Sequence, residues 1–192
     1  GMMAQAGGDR DAWLLLWLAP DIGRLRFHRL LHAFGSPQAV LGARESELRA
    51  VPGMDRAAAR GVLQAADLID LAAEKALMEK HGARLVTLAD SEYPSNLRHA
   101  FTPPPVLYVR GELQPEDRYS IAIVGSRLST VYGRTVAAQL AAELVAAGLA
   151  IVSGLALGID AAAHRAALEN GGRTLAVLAN GLSRCYPSEN QG

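Results

Sequence analysis

Apolar residues recur at helical spacing from Asp11 to about Leu71, as in Leu15, Leu18 and Ile22, then Leu30, Leu31 and Phe34, then Leu63, Ile69 and Leu71. Breaks at Pro20, Gly35-Ser36-Pro37 and Pro52-Gly53 cut this stretch into four or five short helices, with Ser36 placed to cap a helix whose first turn holds Pro37. Pieces this short are stable only when packed on one another. Beyond Ala72 a helix leads through Gly82 into a strand, ARLVTLA, and a Pro-rich connection leads to a second strand, VLYVRGE.

The pattern changes again at YSIAIVGS, a near-continuous apolar run ending in Gly, which predicts a central strand buried on both faces of a parallel sheet. A helix from about Val131 to Ala147, the strand LAIVSG, a helix from about Ile159 to Asn170 and the strand TLAVLAN follow. That alternation predicts an α/β fold with a doubly wound parallel sheet, preceded by a small all-helical domain. The expected division is residues 1–10 as a tag scar and flexible tail, 11–71 as the helical domain, 72–117 as a connecting α/β segment, and 118–192 as the sheet domain.

Composition adds little about partners. The chain carries 19 basic and 19 acidic residues, so any polyanion site must be a local patch. A lone cysteine, Cys185, excludes an internal disulfide framework and fits a reducing cytoplasm, where it serves as a small apolar filler. LLLWLAP stops at Pro20 and Asp21, and later apolar runs contain Gly, Ser or charge, so no membrane span is expected. Gly1 ahead of Met2 and Met3 reads as a scar of tag removal, and no leader pattern is present.

Within the helical region, LAPDIGRLRFHRLLHAF and LRAVPGMDRAAARGVL share an order: an apolar residue, a Gly-containing turn, an Arg-bearing helix start, then small and apolar residues. They read as two degenerate helix-hairpin-helix units of a SAM-like domain, AVPGM being the better match. In such hairpins the turn's N–H groups meet a phosphate and nearby arginines, here Arg24, Arg26, Arg56 and Arg60, add accessory charge. The alternative is a helical interaction module whose arginines are merely solvated.

In open parallel sheets ligands bind outside the carboxyl ends of the strands, where GSRLSTVYG, SGLALGID and NGLSRCYPSEN should converge. Gly125 permits close backbone approach, Ser126 and Ser129 offer hydroxyls, and Arg127 offers a planar fork suited to a phosphodiester. Ser153 lines the second loop, where Gly154 and Gly158 flank a helix start with free N–H groups. Together these form an expected phosphate-binding surface. No G-x-G-x-x-G fingerprint, no acidic residue after SGLA and no P-loop lysine are present, which argues against NAD, FAD and ATP chemistry, and no cofactor is expected. Ser153 lacks the preceding glycine of a nucleophile elbow. Asp160 and His164 share a helix face and could pair as base and orienter, but no further metal-ligand cluster accompanies them, and their expected role is to shape the pocket.

The stretch IAIVGSRLSTVYG and the later LAIVSGLALGIDAAAHRAALENGGRTLAVLANGLSRCYPSEN closely resemble the DprA/Smf family of DNA-processing proteins, as does DSEYPSNLRHAFTPPPVLYVRGEL before them. The resemblance covers roughly Gly82 to Asn190 and fits the helical region more loosely. It implies an extended Rossmann-like domain that binds single-stranded DNA, forms homodimers and helps load RecA recombinase onto incoming strands during natural transformation. Such a protein is a binding and loading factor, not an enzyme. Carried onto this chain, the phosphate contacts fall to Ser126 and Arg127 with the backbone at Gly154 and Gly158, while Asp160, His164, Asn180, Tyr186 and Asn190 shape the pocket. The family pattern continues into further strands and an Arg-rich FPxRNR-like motif where this sequence reaches Gly192, so a Rossmann domain incomplete at its C-terminus is expected.

Two other readings stand beside this one. Related Rossmann-like phosphoribohydrolases carry a PGGxGTxxE-like motif that is missing here, and a helical interaction module without a competent DNA site is the third possibility. With a DNA ligand, single strands should be preferred and sequence selectivity weak, Tyr132 and Tyr186 being the candidates for base stacking as against packing.

Overall fold

The run WLLLWL places apolar residues on every side of one helix, and a helix of that kind belongs at the centre of a core. In the computed structural model, which describes residues 2–178 and only the backbone of residues 2–8, this helix is α1 (Met2–Leu18). It touches α2 (Gly23–Phe34), α3 (Pro37–Leu41), α6 (Ala65–Leu68) and α7 (Leu71–Lys80). Trp13 stacks on Phe27 with ring centroids 5.4 Å apart, and Trp17 meets the same ring edge-on. The expected flexible tail is corrected: residues 2–10 are the opening turns of α1, and Arg10 donates to Leu85 O and pairs with Asp90.

Ser36 caps α3 as its position predicted, accepting from Ala39 N at 3.2 Å with Pro37 in the first turn. The second hairpin is α4 (Glu45–Arg49) and α5 (Arg56–Leu63), where Asp55 accepts from Ala58 N at 2.8 Å. That N–H and the Arg26 guanidinium beside it hold the Asp55 carboxyl below its usual range. After α7, β1 (Ala83–Thr87) and β2 (Val106–Arg110) pair antiparallel across a loop that holds α8 (Ser95–Arg98). Leu85 and Val106 close onto the same core as Phe27, Leu30 and Val40. The chain divides into compact units 1–112 and 113–192, which groups the β1–β2 ladder with the helices.

In the second unit β3 (Ser120–Ala122), α9 (Val131–Ala146), β4 (Ala150–Ser153), α10 (Ile159–Glu169) and β5 (Thr174–Ala176) follow in the expected order. The strands are parallel and lie in the order β3-β4-β5, an α/β sheet of Rossmann-like type. Both helices pack on β4 and on each other, so both crossovers cover one face. Ile151 on that face is wholly buried against Ala141, Ala163, Ala166 and Ala167. One expectation is corrected among the described residues: YSIAIVGS supplies an edge strand and not the central one. Among the described residues β3 is the edge and β4 the centre, with Ile121 39% exposed.

Candidate functional site

Because β3 and β4 run parallel, the loops after them leave the sheet on the same side, and the glycines there let them meet at van der Waals distance. A Cβ at Gly125 would lie 2.6 Å from the Ile159 side chain, one at Gly154 2.5 Å from Asp160 Oδ2, and one at Gly158 2.3 Å from Ser126 O and 2.8 Å from Arg127 O. A Cβ at Gly133, in the first turn of α9, would lie 3.5 Å from Ile159 Cδ1. One isoleucine therefore gathers the first loop and the starts of both helices.

The two charged motif residues serve this closure. Asp160 is buried, and its Oδ1 accepts from Gly125 N at 3.4 Å while Oδ2 lies against Gly154. His164 is buried as well, with Nε2 2.5 Å from Gly154 O and Nδ1 2.6 Å from the Thr174 hydroxyl. A carbonyl can only accept, so Nε2 is the donor of that pair. No hydrogen bond joins Asp160 to His164, so the base-and-orienter pair does not form.

Ser153 is a correction. It was expected among the phosphate contacts, but it is 2% exposed and its hydroxyl donates to Ile123 O at 2.5 Å, stitching the chain after β3 to β4. The start of α10 is less open than expected too, since Ile159 N–H donates to Ser126 O at 3.3 Å and Asp160 supplies an acidic group in the first turn.

Arg127 has the opposite character. Its carbonyl is pressed against Gly158, which fixes the backbone, yet its guanidinium is exposed and has no partner among the described residues. Ser126 is exposed beside it, its Oγ accepting from Leu128 N at 3.1 Å. Ser129 is half-buried, and Arg134 donates to its carbonyl at 2.6 Å and reaches its hydroxyl at 3.4 Å. Arg134 is a second exposed cation at the site that sequence reasoning missed; its signal was an arginine one turn into the helix after GSRLST. Asn180, Tyr186 and Asn190 lie outside the described residues, as does Cys185.

The hairpin arginines divide. Arg26 donates to Gly53 O at 2.8 Å and Asp21 O at 2.5 Å and pairs with Asp55 at 2.7 Å, so it fastens the first hairpin to the second. Its reading as an accessory DNA contact is corrected accordingly. Arg56 lies 3.9 Å from Glu45, whereas Arg24 and Arg60 are exposed without partners among the described residues. Among those residues, no cluster of three or more His, Cys, Asp or Glu could hold a metal ion, and no helix is long and apolar enough to cross a membrane.

A family model described as DNA recombination-mediator protein A matches residues 84–192. Protein Smf of Synechocystis is 31% identical over 97% of the chain and 48% of its own length. DNA processing protein DprA of Bacillus subtilis is 37% identical over 60% of the chain and 39% of its own length. The X-ray structure of DNA processing protein A from Streptococcus pneumoniae matches with a TM-score of 0.75 at 25% identity, covering 94% of the chain and 62% of that structure. The chain spans less than half the length of these two sequence relatives.

Proposed function

The chain belongs to the DNA recombination-mediator protein A family, and from that premise we propose that it binds single-stranded DNA, protects incoming strands and helps load RecA recombinase during natural transformation. The reading places it in the cytoplasm, acting as a homodimer in the longer form and as a binding factor without catalysis. The observation that carries it is Arg127, an exposed guanidinium with no partner among the described residues, on a backbone that Gly158 holds in place. An exposed planar fork on a fixed loop suits a phosphodiester, and the Ser126 and Ser129 hydroxyls with Arg134 extend that surface. Gly154 and Gly158 bring the second loop against the first. Asp160, His164 and Ser153, the residue types an enzyme would draw on, are each tied to backbone or hydroxyl groups in this packing. Asn180, Tyr186 and Asn190 belong to the third loop in this reading, and the exposed hairpin arginines Arg24, Arg56 and Arg60 extend toward a strand.

Fluorescence anisotropy with a labelled single-stranded oligonucleotide tests the proposal, with duplex DNA as competitor and salt varied. Arg127→Ala should weaken binding about tenfold or more and lower the slope of log affinity against log salt by about one, as expected for one lost phosphate contact. Undiminished binding by that variant, or duplex competing as well as single strand, would refute it.

A further inference from the structure

Resting on that reading, we infer that the segment Leu128–Tyr132 is a base-seating rim, on which the Tyr132 ring stacks against an unpaired base while Arg127 holds the neighbouring phosphate. Leu128 is 95% exposed, Tyr132 79% and Val131 72%. Single exposed apolar side chains are ordinary, but three within five residues, directly after an exposed arginine without a partner among the described residues, are a patch that calls for an occupant. Packing is excluded as the role of the Tyr132 ring among the described residues.

The backbone of the segment is tied down. Thr130 caps α9 by accepting from Gly133 N at 3.0 Å, Arg134 ties back to Ser129 O, Leu128 N donates to Ser126 Oγ, and the Ile159 side chain lies against Gly125. A flat exposed ring at a helix start, five residues after an arginine with no partner among the described residues, matches one repeating ligand chemistry, an anionic phosphate alternating with an apolar planar base. Every base has such a face, so the rim would bind without reading sequence. A protein partner fits less well, because the centres of protein interfaces are depleted of charge, and here an exposed arginine without a partner among the described residues adjoins the patch in sequence.

The test compares the full chain and Tyr132→Ala on two labelled strands of equal phosphate count, oligothymidine and its abasic analogue, with Tyr132→Phe as the conservative variant. The wild-type chain should prefer oligothymidine. Tyr132→Ala should lose about five- to a hundredfold on oligothymidine and almost nothing on the abasic strand, with Tyr132→Phe close to wild type. A strand carrying 5-iodouracil should crosslink on irradiation to a peptide containing Tyr132. Equal losses on both strands, or no wild-type preference, would overturn the rim while leaving the phosphate site intact. Failure of the wild-type chain to bind either strand would overturn the rim together with the DNA reading. If Tyr132→Ala shifts the sedimentation coefficient while leaving oligothymidine affinity unchanged, the patch is a protein interface and the inference falls.

Discussion

Gly148 and Gly158 share a φ of +83°, and they differ in what lies beside them: nothing within 4 Å of a Cβ at Gly148, against Ser126 O at 2.3 Å and Arg127 O at 2.8 Å at Gly158. A pair of alanine substitutions therefore compares a strained glycine in open space with one that is strained, at a ψ of −122° that glycine alone adopts readily, and also pressed against the Arg127 loop. Gly148→Ala should cost about 1–2 kcal/mol from the left-handed backbone alone, with DNA affinity unchanged. Gly158→Ala should cost about 3 kcal/mol, since overpacking against carbonyls adds to the strain, and should weaken DNA binding because the displaced carbonyl belongs to Arg127. Urea unfolding and anisotropy on the two variants check this, and equal effects on affinity would show that the loop contact does not position Arg127. At this scale the glycines of GSRLSTVYG and SGLALGID were legible in the sequence, because only glycine allows such approaches. The role of Ser153 was not: a hydroxyl at a strand end looks the same in sequence whether it faces a ligand or donates to Ile123 O. Arg26 was opaque for the same reason, its partners Gly53 O and Asp55 being supplied by the other hairpin.

An ion pair joins the segments that lead into β3 and β5, and it carries a pH dependence. Asp117, on the short 3-10 turn Pro115–Arg118 before β3, pairs with Arg173 just ahead of β5 and also accepts from Gln114 N at 2.8 Å. Hydrogen bonding to the Arg173 guanidinium, more than any other cause, holds the Asp117 carboxyl below its ordinary value, outweighing burial. A carboxyl depressed on folding stabilises the native state above its unfolded pKa, and that contribution is lost as pH falls through the lower folded pKa. Asp117→Asn should therefore destabilise the chain by about 2 kcal/mol at neutral pH, with the gap to wild type closing below about pH 4, where even the unfolded carboxyl takes up its proton. Urea midpoints measured at pH 7 and pH 3 decide it, and a gap independent of pH would assign the cost to packing. Helix and strand order were legible from periodicity, since Val131–Ala146 and Ile159–Glu169 fall within a residue of the expected helices. The place of β3 in the sheet was not, because a continuous apolar run reports the composition of a strand and says nothing about which strands flank it.

Each unit closes its own core, and the two cores differ in kind. Phe27, Leu14, Leu16, Leu30, Leu48, Val40 and Val62 are wholly buried in the first unit, whereas Ile151 is the one large aliphatic side chain so buried among the described residues of the second. Its companions Ala141, Ala163, Ala166 and Ala167 remove far less apolar surface from water, and a fully buried Leu or Phe contributes about 1.5–3 kcal/mol more than an exposed one. The sheet of the second unit is also covered on one side only among the described residues. By strand alternation Ala122, Val152 and Leu175 point to the other face, and continued pairing at Ile123 N and Val177 N extends that face to Val124 and Val177, 71% and 65% exposed. Native-state hydrogen exchange in rising urea should therefore release the amides of α9, β4 and α10 before those of α1 and α2. Saturating single-stranded DNA should raise the protection of the second unit by about 2.7 kcal/mol at a hundredfold excess over Kd, because the ligand binds only its folded form. Simultaneous release of both units without ligand would show a single cooperative body. Ligand protection confined to the helical unit would place the principal DNA contacts on Arg24 and Arg60 and remove them from Arg127.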